Sequence, residues 1–445
     1  MANKGAGGFT AQIKDKLIQQ ALARKLQQVE RQADNPSPIT SAAIPEQFYR
    51  FHLQPGYQQL RIMNDGAARM GIGNPFFKLH EGIAGATTSI GGKIFLNYAS
   101  YNYLGLSGHA AVADAAKQAI DTYGTSVSAS RPVSGERPVH HELEYALAEA
   151  YGVDDAIVFV SGHATNVTTI GYLLGPRDLV VHDEFIHNSA LQGIVLSGAR
   201  RLSFPHNDSR ALDNLLAEQR RHFERVLIVV EGIYSMDGDS PDLPRFIEIK
   251  QRHHAWLMVD EAHSFGVMGK NGLGIREHCG VQGRDVDIWM GTLSKALAGC
   301  GGYIAGETAL VEHLKFLAPG FLYSVGMSPP VAAASLAALR CLLREPERVR
   351  TLQARGQQFL QLARAAGIDT GTSSGLAVIP AIVGSSLKAA RLSAALYRHG
   401  INAQPILYPA VPEKSARLRF FMSCEHTEAH IRHTVQVVAQ ELKQL

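Results

Sequence analysis

The sequence predicts an α/β protein with a mostly parallel central sheet in a large domain, followed by a smaller C-terminal α/β domain. From residue 110 onward, short apolar runs alternate with helical segments of roughly 10–15 residues, the pattern of βαβ units. Around Met327-Ser328-Pro329-Pro330 that alternation gives way to two long helical patterns and then short strands. The chain accordingly divides at 1–73, 74–330 and 331–445: an N-terminal extension, the large domain, and linking helices with the small domain.

Each element follows from local pattern. Residues 11–31 place Ile13, Leu17, Ile18, Ala21, Leu22, Leu26 and Val29 at helical spacing, so a helix either packs on the body or presents its stripe to a partner. NPSPIT at 35–40 has two prolines and reads as a linker, and 44–73 has too weak a periodicity to assign. Regular structure begins with NPFFKLHEG at 74–82 and a strand ending at Asn97-Tyr98, then the polar-aromatic turn SYNYLGL. Helix 110–123, the loop GTSVSASRPVSGERP and helix 139–151 come next. Strand 156–160 meets SGHATN, strand 179–182 meets DEFIHNS, and strand 201–204 follows. VLIVVEGIYSMDGD and AWLMVDEAHSFG supply two more strands, and DIWMGTLSKALAGCGG reads as a short turn. Helices at about 331–344 and 347–366 precede strands near 376–382, 401–407 and 417–421, and helix 427–443 closes the chain.

Bulk properties exclude several classes. A 445-residue chain that is 46% hydrophobic and 19% charged is ordinary globular protein. Forty-three Lys and Arg against 40 Asp and Glu leave a formal charge of +3, too little to favour nucleic acid or an anionic membrane. Four cysteines without CxxC spacing argue against a disulfide framework or a zinc site, and no metal is expected. No apolar run reaches about 18 residues and the start lacks a leader pattern, so a cytoplasmic protein is expected.

The chemistry gathers between Val226 and Gly302. Asp260 ends a buried parallel strand, and ligands of open α/β sheets bind at such carboxyl tips. His263 follows three residues later, and Lys295 sits between hydroxyls, Thr292 and Ser294, and a glycine-rich segment. Alone, such an Asp is commonly a cap or ion-pair partner and such a Lys is solvated surface. The string Asp260-Glu261-Ala262-His263 also suits an ATP-driven helicase, but no GxxxxGK[ST] loop exists: Gly92-Lys93 runs into Ile94 and Gly269-Lys270 into Asn271. Together the residues form a pyridoxal phosphate set, with a lysine for the Schiff base and an acid to keep the pyridine nitrogen protonated. A strand-to-helix turn at Gly162-His163 adds free amides for a phosphate.

SYNYLGL, SGHATN, DEFIHNS, EGIYSMDGDS, VDEAHSFG, GTLSKALAGCGG and LRFFMSCEHT, in this order over residues 74–445, resemble the α-oxoamine synthases, fold-type I pyridoxal phosphate transferases. The resemblance implies Lys295 as the Schiff-base lysine and Cα base, and Asp260 on the pyridine nitrogen. It implies His263, with Ser235 beside it, on the phenolic oxygen, and His187 on the ring face and substrate. An isolated His187 would otherwise read as a satisfied helix-start residue. Gly162, His163 and Thr292 would bind the phosphate, Ser324 would reach the phosphate of a neighbouring subunit, and the sites would be shared across a homodimer. Arg419 would clamp the substrate carboxylate, with Asn102 and Ala410 lining the pocket. The implied reaction condenses an amino acid with an acyl thioester and loses carbon dioxide, leaving an α-amino ketone.

His163 stands where the family is often aromatic, GTSVSASR is less glycine-rich than biotin-pathway members, and Ala410 replaces a hydroxyl residue. The last two weigh against biotin synthesis. NPFFKLHEGIAGATTSIGGK and SVSASRPVSGERP look more like members of secondary-metabolite assembly lines, which often take the acyl group from an acyl carrier protein. The N-terminal helix is then its candidate docking element. The alternatives are a housekeeping acyl-coenzyme A enzyme such as 8-amino-7-oxononanoate synthase or serine palmitoyltransferase, a fold-type I aminotransferase or aldol-cleaving enzyme, and a catalytically silent scaffold.

Overall fold

In the computed structural model, residues 44–69 and 73–445 are described. The periodic stretch at 11–31 and the linker at 35–40 lie outside the described residues. Two compact units divide after Gly71. In the first, two 3-10 turns, Glu46–Phe48 and Phe51–Leu53, precede the helix Pro55–Arg69. That helix falls in the stretch left unassigned from sequence, because Gly56, Asn64 and Gly66 are weak helix formers that dilute its pattern.

The second unit opens on a hairpin, β1 (Thr87–Ile90) and β2 (Lys93–Asn97). Its main sheet comprises β3 (Asp155–Phe159), β4 (Leu179–Asp183), β5 (Arg200–Phe204), β6 (Val226–Glu231), β7 (Trp256–Asp260), β8 (Ile288–Thr292) and β9 (Gly302–Gly306). Spatial order is β3-β9-β8-β7-β6-β4-β5, and only β9 runs against the rest. Strands β4 and β6 are buried along their whole length, as parallel strands covered on both faces must be, which is why they read as unbroken apolar runs.

One expectation is corrected here. DIWMGTLSKALAGCGG is no short turn: it holds β8, then the connection 293–301 that reverses into β9, so the cofactor-type lysine lies between two strands. GYIAG of β9 hides from a propensity reading because glycines weaken it. Gly291 pairs with Tyr303, and a Cβ on Gly291 would lie 2.1 Å from the Tyr303 ring, so the missing side chain makes room for the tyrosine.

After residue 330 come β10 (Val378–Ile382), β11 (Ile401–Asn402), β12 (Gln404–Ile406) and β13 (Arg417–Phe421). Strands β10, β13 and β12 form one antiparallel sheet. Strand β11 instead joins β2 in parallel, with Asn402 Nδ2 donating to Asn97 Oδ1 at 3.1 Å. Residues on both sides of 330 share one apolar cluster, from Leu143, Leu257 and Trp289 to Leu336, Phe359 and Phe420. The parallel strands thereby deliver Asp183, Glu231, Asp260 and Thr292 at their carboxyl ends, with Glu231 opposite Asp260, a polar fringe on an apolar sheet.

Candidate active site

Asp260 sits at the centre of that fringe. Its Oδ2 accepts from Asn166 Nδ2 at 2.9 Å and its Oδ1 from the Ala262 N–H at 2.9 Å, which fixes the carboxylate plane. Asn166 projects from the buried face of the helix Gly162–Leu173, whose N-cap Ser161 accepts from the Ala164 N–H. A Cβ on Gly162 would lie 2.9 Å from Thr292 Oγ1, so glycine lets the start of this helix close on the tip of β8. The result is a cavity of about 200 Å³ lined by Gly162, His163, His187, Asp260, His263, Thr292 and Lys295, all expected there, together with Asn166 and Glu231.

Burial sets the proton inventory. Lys295 is pulled from 10.5 to about 8 because desolvation outweighs the attraction of Asp260 and Glu231, with Arg419 adding repulsion. Its Nζ lies 5.6 Å from the centre of the Tyr101 ring. His263 is held well below the usual imidazole value by burial and then by Lys295 and Arg419, so it is neutral. Its Nδ1 lies 2.7 Å from the Tyr103 hydroxyl, itself kept protonated by burial; with the phenol donating, the histidine's proton sits on Nε2. His187 caps the helix Asn188–Ser197, its Nδ1 accepting from the Ser189 N–H, which likewise leaves Nε2 as the donor. Its pKa is lowered by burial, against the pull of Asp260.

The remaining expected residues lie elsewhere. Arg419 is on β13, Nη1 donating to the Ser235 carbonyl at 2.9 Å and the guanidinium 4.5 Å from the Phe421 ring centre, while Phe421 in turn stacks on His263. Buried Arg419 Nε has no hydrogen-bond partner. Asn102 lines a neighbouring cavity of about 360 Å³ that also touches Lys295, but its carboxamide is spent on backbone: Nδ2 donates to Ala84 O and Oδ1 accepts from the Leu106 and Ser107 N–H groups. Ala410 is exposed and lines neither cavity, and Ser324 lies in a separate cleft with Arg131 and Phe321. The Thr292 hydroxyl donates to Gly301 O at 2.9 Å.

Comparison with known proteins decides the family. A family model described as aminotransferase class I and II matches residues 93–438. The 8-amino-7-oxononanoate synthase of Fervidobacterium nodosum is 40% identical over 78% of this chain and 88% of its own length. The chain belongs to this family, on its α-oxoamine synthase branch. The serine palmitoyltransferase of Sphingomonas wittichii superposes with a TM-score of 0.84 at 27% identity, covering 88% of this chain and 98% of that one. A serine palmitoyltransferase from S. paucimobilis, solved with bound PLP–myriocin, scores 0.84 at 28% identity over 87% and 98% of the two chains. This is therefore a pyridoxal phosphate-dependent acyltransferase of fold type I.

The residues fit that cofactor. Asn166 Oδ1 and Glu231 Oε1 both belong to cavity-lining residues and are buried without a protein partner, as a pocket shaped for a polar ligand requires. Sequence reasoning missed both residues. Glu231 ends an apolar run as Asp260 does and stands opposite it in register, a signal that was readable. Burial and then Asp260 raise the Glu231 carboxyl far above its usual value. Asn166 gave no signal of its own, since only the helix's packing turns it toward Asp260.

Proposed function

We propose that the enzyme condenses an α-amino acid with an acyl thioester and releases carbon dioxide, leaving an α-amino ketone. The observation that carries this reading is the convergence of a partly deprotonated lysine, Lys295, and a fixed carboxylate, Asp260, on one cavity, with the guanidinium of Arg419 linked to it through Phe421 and His263. Lys295 would hold the cofactor, Asp260 its pyridine nitrogen, His263 and Ser235 its phenolic oxygen, His187 its ring, and Gly162, His163 and Thr292 its phosphate. Bound pyridoxal phosphate supplies the electron sink for charge at the substrate Cα.

Arg419 would clamp the substrate carboxylate and orient the Cα bonds. Lys295 Nζ, near 8, then takes the Cα proton at neutral to mildly alkaline pH. Ser324 would reach the site of a second copy in a homodimer, and a cytoplasmic location is part of this reading. Among the described residues no helix is long and apolar enough to cross a membrane.

For the donor we favour an acyl carrier protein, on the segments 74–93 and 126–138 and the Ser and Ala of the GTSVSASR loop. An acyl-coenzyme A enzyme is the second reading, supported by the name 8-amino-7-oxononanoate synthase on relatives 38–40% identical. Mixing the protein with amino acids and either donor, then following thiol release and product mass, separates them. Turnover with coenzyme A esters alone removes the carrier reading, and thioester-independent, keto acid-dependent amino transfer removes the condensation.

A further inference from the structure

Outside the cavity, a buried cluster joins the two loops that feed it. His206, in the turn after β5, places Nδ1 2.9 Å from Asp183 Oδ1 and Nε2 3.0 Å from Asp239 Oδ2. The first carboxylate also accepts from the Phe185 and Asn207 N–H groups, and so fixes the start of the loop that ends in His187. The second accepts from Thr372 Oγ1 at 2.7 Å and lies in a loop closed by Tyr234 N–H to Asp239 O and Gly238 N–H to Tyr234 O. That loop presents the Ser235 carbonyl to Arg419, the Met236 carbonyl to Arg417, and Asp237 to Arg417 at 2.5 Å. Tyr234 packs edge-on against the imidazole and Phe185 covers its other side.

We propose that His206 is a positioning residue, a single cationic strut that ties the His187 loop to the Arg419 anchor and thereby sets the carboxylate clamp. The inference rests on the reading of Arg419 given above. The strut keeps its charge at working pH: although burial opposes the cation, the hydrogen bonds of Asp183 and Asp239 raise it to about 10. A neutral imidazole could donate to only one of the two carboxylates, so the bridge needs both protons.

Amino-acid affinity of the holoenzyme, measured by absorbance titration without any thioester, tests the strut separately from the condensation. His206→Gln is expected to weaken amino-acid binding about tenfold while kcat at saturation stays within about twofold. In an Arg419→Lys background the same change should add little, because both act through one clamp. Asp239→Asn and Thr372→Ala give the same readout should His206→Gln fail to fold. Unchanged affinity with only a lower Tm, or full additivity with Arg419→Lys, overturns the proposal. Absence of thiol release with every donor would instead overturn the condensation and leave the affinity result standing.

Discussion

On the proposed function Lys295 and Asp260 carry the chemistry as a pair, and each has a consequence that can be measured. Lys295→Ala should abolish turnover while circular dichroism and Tm stay close to the parent; substantial residual turnover would put the base elsewhere. Because burial lowers the lysine from 10.5 to about 8, it holds its proton below that value, so kcat should fall as pH drops through about 8. A limb near 10.5 would mean a solvated amine. Asp260→Asn should cost at least about 100-fold in kcat, since a neutral amide cannot stabilise the protonated ring nitrogen. Their meeting in one cavity was legible because a carboxylate ending an apolar run and a lysine among hydroxyls are unusual in their settings. Ala410 and Asn102 were less so: solvent exposure of the first and the backbone bonds of the second depend on loop packing that one chain's pattern does not encode.

At the scale of elements, helices and parallel strands were readable because their periodicity is imposed by burial, and the observed boundaries fall within a residue or two at 110–123, 179–182 and 417–421. The β8–β9 reversal was not, since its glycines answer to a neighbour and not to propensity. Gly291→Ala should therefore destabilise by about 1–3 kcal/mol through overpacking against Tyr303, seen as a lower Tm. An unchanged Tm would mean the ring moves freely. His206 escaped notice for a related reason: its partners Asp183 and Asp239 lie on other elements, and only the sheet order brings them together.

Over the whole molecule, the alternation of strands and helices predicts the sheet, but it says nothing of the partnership between β2 and β11. Asn97 and Asn402 are hydrogen-bonded across 305 positions of sequence. A ribosome adding roughly 5–20 residues per second needs roughly 15–60 seconds to travel that interval. Throughout it the emerging hairpin has an unsatisfied edge, open to chaperones or to another nascent copy. Stalled chains ending before residue 401 should be cleaved by protease near 87–97, and chains released with β11 in place should not.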